Sequence, residues 1–487
     1  MTSATENIPS SEILPDVSHL LKPTCFLTLP IQNPPHPFPI SPPADIATTP
    51  LLLFRYRFYR HAAEQCRIQL LALASETPSP ALTVTDDDPD SAVKAREYIA
   101  TVFRLWTIRL ASLLMAGLGG IARDEARHLN DLGSKTYRSM PSGESLVPWA
   151  LRVLAVRIQG AGDTPQGVTQ FYAFTREARS ALQSAQLYIK RLSQTRAEIA
   201  ANGGDNVEKE LERIDSIIRN AKIQSLKWKS RIRNLGLYSA AMLIGMRDTK
   251  STISLLQSLY EGISVSKQKE EEKEEKEEDK TFNQINAQEI TRFNTRLIFT
   301  LAMVYLQIGD SISARQWFAK MPSDTPETQH SKALGLAICS IADADWDAAE
   351  KALALELSKF PSPEKSTEKK VEGKEEGKEE GKEEGKEEGK ENTKTTRPVS
   401  LMGSYSPFYV ALTNNLSVVK INQGDLLEGI SLLDNMALTG VISPTVLSNL
   451  CILFDLQQEQ GRRLKNNLLT QIREQGFLGL ENYNFLQ

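Results

Sequence analysis

A short step, Gly-Asp-x-x-x-(Ala/Gly), recurs along this chain of 487 residues and constrains its fold more than any other feature. Copies begin at Gly162, Gly309 and Gly424, and a looser copy begins at Ala344. Glycine ends a helix in the left-handed conformation at least cost, and the aspartate after it can cap the next helix. The small residue four positions after the aspartate lets the two helices approach closely. The step therefore predicts α-hairpins, and its recurrence predicts a stack of them.

The clearest unit spans Ile290–Met321. Its residues have the spacing of a tetratricopeptide (TPR) repeat, with Tyr305, Gly309, Ala314 and Phe318 at the expected positions. If Phe318 is fully buried, its truncation should cost roughly 3–5 kcal/mol. A weaker copy covers Ser331–Leu357.

No segment alternates apolar and polar residues for the length of a strand, so we predict an all-α, TPR-like α-hairpin solenoid. A first amphipathic helix is expected over Leu51–Ala74. The predicted order is a disordered Pro/Ser-rich arm (1–50), a helical-hairpin solenoid (51–266), a charged insert (267–282), TPR-like repeats (283–360), a Gly-Lys-Glu-Glu insert (361–400), and a C-terminal TPR-like hairpin with capping helices (401–487). The arm is interpreted as disordered or as a segment that orders on binding.

Two inserts carry most of the negative charge. Lys267–Lys280 has five lysines against eight acidic residues, and Glu364–Glu391 has eight against twelve, with Gly-Lys-Glu-Glu repeated between Gly373 and Glu388. The remainder is close to neutral, so charge does not indicate a nucleic-acid partner. The inserts are interpreted as solvated low-complexity loops, and binding tails for a basic partner are the alternative.

The cysteines and the N-terminus predict a cytoplasmic protein. Cys25, Cys66, Cys339 and Cys451 are far apart and form no Cys-x-x-Cys pair, as is usual in a reducing compartment. The N-terminus lacks the basic and apolar regions of a signal peptide. The longest apolar stretch, Leu110–Ala122, is broken by glycines and too short to span a bilayer, so no transmembrane segment is expected.

Candidate catalytic or metal-binding groups are sparse. His61 and Cys66 are five positions apart and do not share a helical face. Glu125 and His128 could share one, but no second Glu-x-x-His motif exists to complete a metal site. The glycines from Gly117 lack the strand and the Gly-Lys-Ser/Thr of a phosphate loop. We therefore predict no catalytic, cofactor-binding or metal residues, no cofactor, and no enzymatic activity.

One basic segment admits two interpretations. Lys222–Arg233 mixes lysines and arginines with Trp228, which could indicate contact with an acidic partner or anionic lipid. Trp228, Ile232 and Leu235 fall on one helical stripe, however, so the tryptophan is expected in the core and the basic residues on the solvated side.

Several segments, taken in order, resemble subunit 12 of the trafficking protein particle (TRAPP) complex family in a fungal form. The segments are FRYRFYRHAAEQCRIQLLAL (54–73), LWTIRLASLLMAGL (105–118), VPWALRVLAVRIQ (147–159), RIRNLGLYSAAMLIGMRD (231–248), NNLSVVKINQGDLLEGISLLD (414–434), LSNLCILFDLQ (447–457) and the closing helix Lys465–Gln475. The resemblance rests on this collinearity, because TPR signatures occur in many unrelated proteins. The charged inserts and the Pro-rich arm depart from the family pattern.

The resemblance implies a non-catalytic, TPR-like adaptor subunit of a TRAPP III assembly. Such a complex tethers vesicles and acts as exchange factor for a Rab GTPase in ER-to-Golgi traffic and autophagy. The implied partners are the large TRAPP III subunits and the small core, with an indirect link to the Rab GTPase. The implied location is cytoplasmic and peripheral at early secretory membranes, and no binding residue carries over individually.

Two other classes of function compete with this one. A TPR co-chaperone would clamp a C-terminal carboxylate with an ordered set of Lys, Asn and Arg side chains, and Asn234, Asn294, Asn414 and Asn415 form no evident set. An enzyme would need ionisable residues that converge in one pocket.

Overall fold

The computed structural model describes residues 14–30, 42, 44, 46–75, 89–140, 143, 145–160, 164–202, 207–271, 280–360, 406–438, 443–457 and 461–474. Within these ranges the chain is helical and forms no strand; the sole β-pairing is an isolated antiparallel bridge between Arg138 and Ser145. The predicted all-α fold is confirmed.

Sixteen α-helices lie within the described ranges. They are α1 Pro50–Arg55, α2 Tyr59–Ser75, α3 Pro89–Met115, α4 Gly119–His128, α5 Trp149–Gly160, α6 Thr164–Asn202, α7 Val207–Gly245, α8 Thr249–Glu271, α9 Lys280–Gln307, α10 Ser311–Ala319, α11 Pro326–Ala342, α12 Trp346–Leu357, α13 Pro407–Gln423, α14 Leu426–Leu438, α15 Pro444–Leu456 and α16 Gly461–Glu474.

The helices form two compact units. The first lies within Met1–Leu27, Arg67–Leu114 and Leu118–Thr328, and the second within Thr28–Cys66, Met115–Gly117 and Gln329–Gln487. In the first unit each helix from α4 to α10 packs against the next one in the sequence. Such nearest-neighbour packing is the TPR-like hairpin arrangement that the recurring step predicts.

Helices α6 and α7 are the longest, with 39 residues each, and pair along their length. Both carry a 3-4 spacing of mostly apolar or small residues, as in a two-helix coiled coil. On α6 the positions are Phe171, Thr175, Ala178, Leu182, Ala185, Ile189, Leu192, Arg196 and Ile199, and on α7 they are Leu211, Ile214, Ile218, Ala221, Ser225, Trp228, Ile232, Leu235 and Ser239. Arg196 pairs with Asp215 across the seam at 2.5 Å. Helix α6 ends at Asn202, and α7 begins at Val207.

Two copies of the step have the predicted geometry. Gly309 has φ +83°, and the Asp310 carboxylate accepts a hydrogen bond from the Ser313 N–H at 2.9 Å. Ala344 has φ +59°, and the Asp345 carboxylate accepts from the Ala348 N–H at 3.2 Å. The small residues that follow, Ala314 and Ala349, are fully buried.

At the third copy Gly424 has φ +98°, as predicted. A Cβ added at Gly429 would lie 2.9 Å from the Ile421 Cγ1 atom and 3.2 Å from the Ser417 carbonyl oxygen, so the helices approach as closely as expected. Gly162 and Asp163 lie outside the described residues. The small residue of that copy, Gly167, is described, and a Cβ added there would lie 3.0 Å from the Gly160 Cα.

A further step occurs where the sequence has no glycine. Arg247 adopts φ +60°, and the Asp248 carboxylate accepts a hydrogen bond from the Ser251 N–H at 3.0 Å. Arg247 and Asp248 thus form the turn between α7 and α8. The aspartate supplies the cap, and an arginine takes the left-handed position that glycine occupies elsewhere.

The second unit contains two helical cores. One joins α11, α12 and α13 through residues that include Ala337, Leu353 and Leu416. The other joins α13 to α16 through residues that include Leu433 and Leu450. Its last two helices, α15 and α16, lie within the segment 401–487 for which capping helices were predicted.

Two expectations about the N-terminal region are wrong in part. The helix expected over Leu51–Ala74 is two helices, because Arg57 takes φ +64° between α1 and α2. Residues 14–30 of the expected disordered arm are folded, with Leu20, Leu21 and Phe26 buried. The spaced apolar residues of this segment are buried in the protein. The proline and serine content, on which the prediction of disorder rested, does not indicate this burial. The expected arm's remaining positions 1–13, 31–41, 43 and 45 lie outside the described residues.

The charged inserts lie mostly outside the described residues, at 272–279 and 361–405. Helix α8 continues to Glu271 and α9 begins at Lys280, so both ends of the first insert are helical.

Among the described residues, one helical segment, Val93–Met115, is long and apolar enough to cross a membrane, with mean hydropathy 1.3. It is longer than the apolar stretch identified in the sequence. Half of it is buried within the protein, and Arg109 in its interior forms a buried ion pair with Glu125. Buried core helices of water-soluble proteins have the same length and composition.

Candidate partner-binding grooves

Helix α5 separates two grooves in the first unit. The polar groove, about 570 Å³, lies between the α4–α5 connection, α5 and α6. It is lined by Arg127, Asn130, Asp131, Leu132, Gly133, Arg152, Ala155, Val156, Gln159, Gln166, Gln170, Ala173, Phe174 and Glu177. Its amide side chains can both donate and accept hydrogen bonds, which suits contact with a polypeptide.

The arginine–aromatic groove, about 360 Å³, lies on the other side of α5, against α3 and α7. It is lined by Thr107, Trp149, Ala150, Val153, Leu154, Arg157, Arg231, Asn234 and Tyr238. Tryptophan, tyrosine and arginine are the residues most enriched where protein interfaces bind tightly.

Arg152 lies between the two grooves and is 4 % exposed. Its guanidinium donates two hydrogen bonds to the Glu177 carboxylate, at 2.8 and 2.6 Å, and lies 4.7 Å from the centre of the Phe174 ring. Hydrogen bonding from Arg152 lowers the pKa of Glu177. This pair joins α5 to α6, two walls of the polar groove, and fixes them relative to each other.

Aromatic contacts join α5 to α7. Trp149 meets Trp228 edge to face at 5.5 Å between ring centres and lies at the same distance from Phe174. Arg231 lies over both tryptophans, 4.3 Å from the Trp228 ring and 5.1 Å from the Trp149 ring. Of these rings Trp149 lines the arginine–aromatic groove, together with Tyr238, so the groove presents rigid, amphipathic rings.

The core interpretation of Trp228 within Lys222–Arg233 agrees with the structure. Leu235 is fully buried, and Trp228 and Ile232 pack partly buried against the same core, as the helical stripe predicts. Arg231, by contrast, is half-buried in a groove. The expectation that the basic residues lie on the solvated side is wrong for Arg231, because α5 covers that part of α7.

Two of the residues weighed for metal binding, Cys66 and Glu125, are fully buried. Burial lowers the pKa of His61, whose ring meets Phe58 edge to face, and Cys66 is buried. Glu125 is fully buried in its pair with Arg109, whereas His128 is exposed. Across the described ranges, no group of three or more His, Cys, Asp or Glu residues could hold a metal ion.

The glycine segment that resembled a phosphate loop is a turn between helices. Gly117 has φ +76° between the end of α3 and the start of α4. In the part of the chain that the structure describes, no strand precedes it, so the predicted helix–helix turn is confirmed.

The arginine–aromatic groove was not predicted from the sequence. In the sequence, Trp149 is only one member of a helical stripe of apolar residues, and no motif distinguishes Arg157 or Tyr238. A detectable signal existed, however. Trp149, Val153 and Arg157 recur every four residues on α5, as Arg231, Asn234 and Tyr238 recur every three or four on α7. That spacing defines one face of each helix, but only the packing brings the two faces together.

Known proteins do not match this chain by sequence and match it only weakly by structure. No protein-family model matches the chain, and no curated protein matches it by sequence. A solved structure that it resembles is the crystal structure of the APC/C hetero-tetramer Cut9–Hcn1, at 12% identity and a TM-score of 0.23. The match covers 87% of this chain and 78% of the other. The hairpin fold is therefore established by this chain's own helices, not by that superposition.

Proposed function

We propose that this chain is a non-catalytic adaptor that binds other proteins through its stacked helical hairpins. The observation that carries the proposal is the pair of grooves beside α5, which are lined by amides, arginines and aromatic rings. Those side chains bind polypeptides well, and stacked hairpins generally present such surfaces.

Within that class, we propose a subunit of a TRAPP III type complex that tethers vesicles and exchanges nucleotide on a Rab GTPase. The support is the collinear resemblance, whose segments at 105–118, 147–159 and 231–248 fall largely on α3, α5 and α7. Under this proposal the chain is a peripheral, cytoplasmic protein at early secretory membranes, joining large subunits to the small core.

The co-chaperone alternative finds little support in the second unit. The Asn414 amide oxygen accepts a hydrogen bond from Asn449 at 2.8 Å, and the Asn415 amide donates to the Ala411 carbonyl at 2.7 Å. Both side chains are thus engaged within the protein, whereas a carboxylate clamp needs them directed at a ligand.

Purification of the tagged full chain from its own cells tests the proposal. Recovery of the small TRAPP core subunits is expected, with a tagged unrelated helical-repeat protein as the control. Recovery of chaperones at high yield without any TRAPP subunit would favour the co-chaperone and overturn the TRAPP assignment. Deletion of Gly373–Glu388 should leave the recovery unchanged if that repeat is only a solvated insert.

A further inference from the structure

Two arginines reach the arginine–aromatic groove from opposite walls. Arg231 on α7 lies over the Trp149 ring of α5, and Arg157 on α5 lies over the Tyr238 ring of α7, with 5.1 Å from each guanidinium carbon to its ring centre. Each helix thus supplies the cation for a ring of the other.

Among the described residues, neither of these two cations has a carboxylate partner. No aspartate or glutamate belongs to the described groove lining, and among described side chains the nearby Glu177 pairs with Arg152 instead. Arg157 lies in the last turn of α5, where the helix dipole favours a positive charge. Arg231 lies inside α7, where no helix end compensates its charge.

The position of Arg231 is electrostatically unfavourable in the free chain. Burial, with the positive charge of Arg152 as a second cause, lowers the pKa of Arg231. Contact with the Trp149 and Trp228 rings offsets only part of the free-energy cost of partly removing the Arg231 guanidinium from water. A carboxylate brought into the groove would offset the rest.

The spacing of the arginines defines the ligand further. Arg231 and Tyr238 are seven residues apart and Trp149 and Arg157 eight, so the two cationic ends are separated by about 11 Å along the helix axes. Carboxylates seven residues apart on one face of a helix are separated by about 10.5 Å along its axis, and carboxylates four apart on one face of an extended chain are separated by about 13 Å.

We propose that the arginine–aromatic groove binds an acidic segment of a partner protein, with one carboxylate at Arg231, a second at Arg157 and an apolar side chain against Val153 and Leu154 between them. The proposal rests on the adaptor function above but not on the TRAPP assignment. The groove suits a peptide better than a membrane, because lipid surfaces are bound by larger sets of exposed basic residues.

The test uses the full chain and four fluorescein-labelled peptides, read by fluorescence anisotropy. One peptide is an alanine-based helix with glutamates at i and i+7 and leucines at i+3 and i+4. The second is an extended peptide with glutamates at i and i+4 and a leucine at i+2, which share one face, and each has a counterpart with glutamine for glutamate. At least one acidic peptide should bind at least about tenfold more tightly than its glutamine counterpart, and salt should weaken it.

Substitutions identify the site. Arg231→Gln should weaken the acidic peptide by about tenfold or more, and Arg157→Gln by less, because Arg157 is exposed. Arg179→Gln, which changes an exposed arginine on α6 outside the groove, is the matched control and should bind like the parent chain. Arg231→Gln should also leave the urea midpoint of the free chain unchanged or raised, whereas a purely structural role for Arg231 would lower it.

Three results would overturn the proposal. In the first, neither acidic peptide binds the parent chain. In the second, the peptides bind but Arg231→Gln and Arg157→Gln both leave their affinity unchanged. In the third, vesicles containing phosphatidylserine bind through Arg231 while the peptides do not. If purification yields no TRAPP subunit while the peptides bind as expected, the TRAPP assignment fails and the groove stands. If TRAPP subunits are recovered but neither acidic peptide binds, the groove proposal fails and the TRAPP assignment is supported.

Discussion

Arg109 on α3 and Glu125 on α4 form an ion pair in which both side chains are 0 % exposed. The Glu125 carboxylate accepts from the Arg109 Nε at 2.7 Å and from the Leu27 backbone N–H at 2.9 Å. The Arg109 guanidinium also donates to the Leu27 carbonyl oxygen at 3.3 Å, and the Phe26 ring stacks on Trp106. One buried pair thus closes the α3–α4 hairpin and holds the folded N-terminal segment against it.

Glu125→Gln should destabilise the chain by about 3–5 kcal/mol, because it leaves the Arg109 cation buried without its counter-charge. Urea denaturation of the full chain, followed by circular dichroism, measures the loss. Asp124→Asn is the control. Asp124 pairs with Arg127, and their side chains are 54 % and 69 % exposed, respectively, so loss of this ion pair should cost less than about 1 kcal/mol. Equal effects of the two substitutions would contradict the importance of the buried pair.

Glu177→Gln should make stability less dependent on pH. Hydrogen bonding from Arg152 holds the pKa of Glu177 below its usual value of 4.5. A carboxylate with a lowered pKa stabilises the folded state above its unfolded pKa, and that contribution is lost as pH falls through the folded pKa. The parent chain should therefore be more stable than Glu177→Gln at pH 7, and the difference should shrink below pH 4.5.

Urea titrations at several pH values between neutrality and acid check this prediction. The control repeats them in a chain that carries Arg152→Gln, where the cause of the pKa shift is absent. Adding Glu177→Gln to that chain should change the pH dependence of its stability very little. If the stability difference between the parent chain and Glu177→Gln stays constant down to acid pH, the prediction is wrong.

Gly429→Ala should destabilise the second unit by about 1–3 kcal/mol, because the new methyl group would meet Ile421 and the Ser417 carbonyl at the contact between α13 and α14. Gly262→Ala on α8 is the control. A Cβ there has nothing within 4 Å, so alanine should stabilise that helix by about 0.5–1 kcal/mol. Thermal or urea unfolding distinguishes them by the sign of the change, and a stabilising Gly429→Ala would refute the close approach.

Ala344→Gly should stabilise the hairpin between α11 and α12 by about 0.5–1 kcal/mol. Ala344 holds φ +59°, where a Cβ costs about 1–2 kcal/mol, and glycine removes that strain while adding entropy to the unfolded chain. Ala354→Gly, at an exposed position inside α12, should instead cost about 0.5–1 kcal/mol. Denaturation midpoints measure both, and a loss of stability in Ala344→Gly would show that the turn is unstrained.

The hairpins could be predicted because their determinants are local. Gly309 and Asp310 end one helix and cap the next through backbone conformation and one short hydrogen bond, which depend on residues within four positions. The burial of Phe318 follows from the same spacing and is observed. The break at Arg57 could not be predicted, because neither a glycine nor a capping aspartate marks the turn there, as an aspartate does after Ala344 and Arg247.

The helices and the order in which the hairpins follow one another can be read from the sequence, since they depend on short-range periodicity and capping. The packing of residues 14–27 against α3, where the Trp106 indole donates to the Leu20 carbonyl, and the groove that Arg157 and Arg231 share arise only when the chain is folded. Those two arginines are 74 positions apart in the chain, and no local pattern encodes which face of α5 packs against α7. Side-chain packing between the helices determines which face of α5 contacts α7, and therefore which surface is available to a partner.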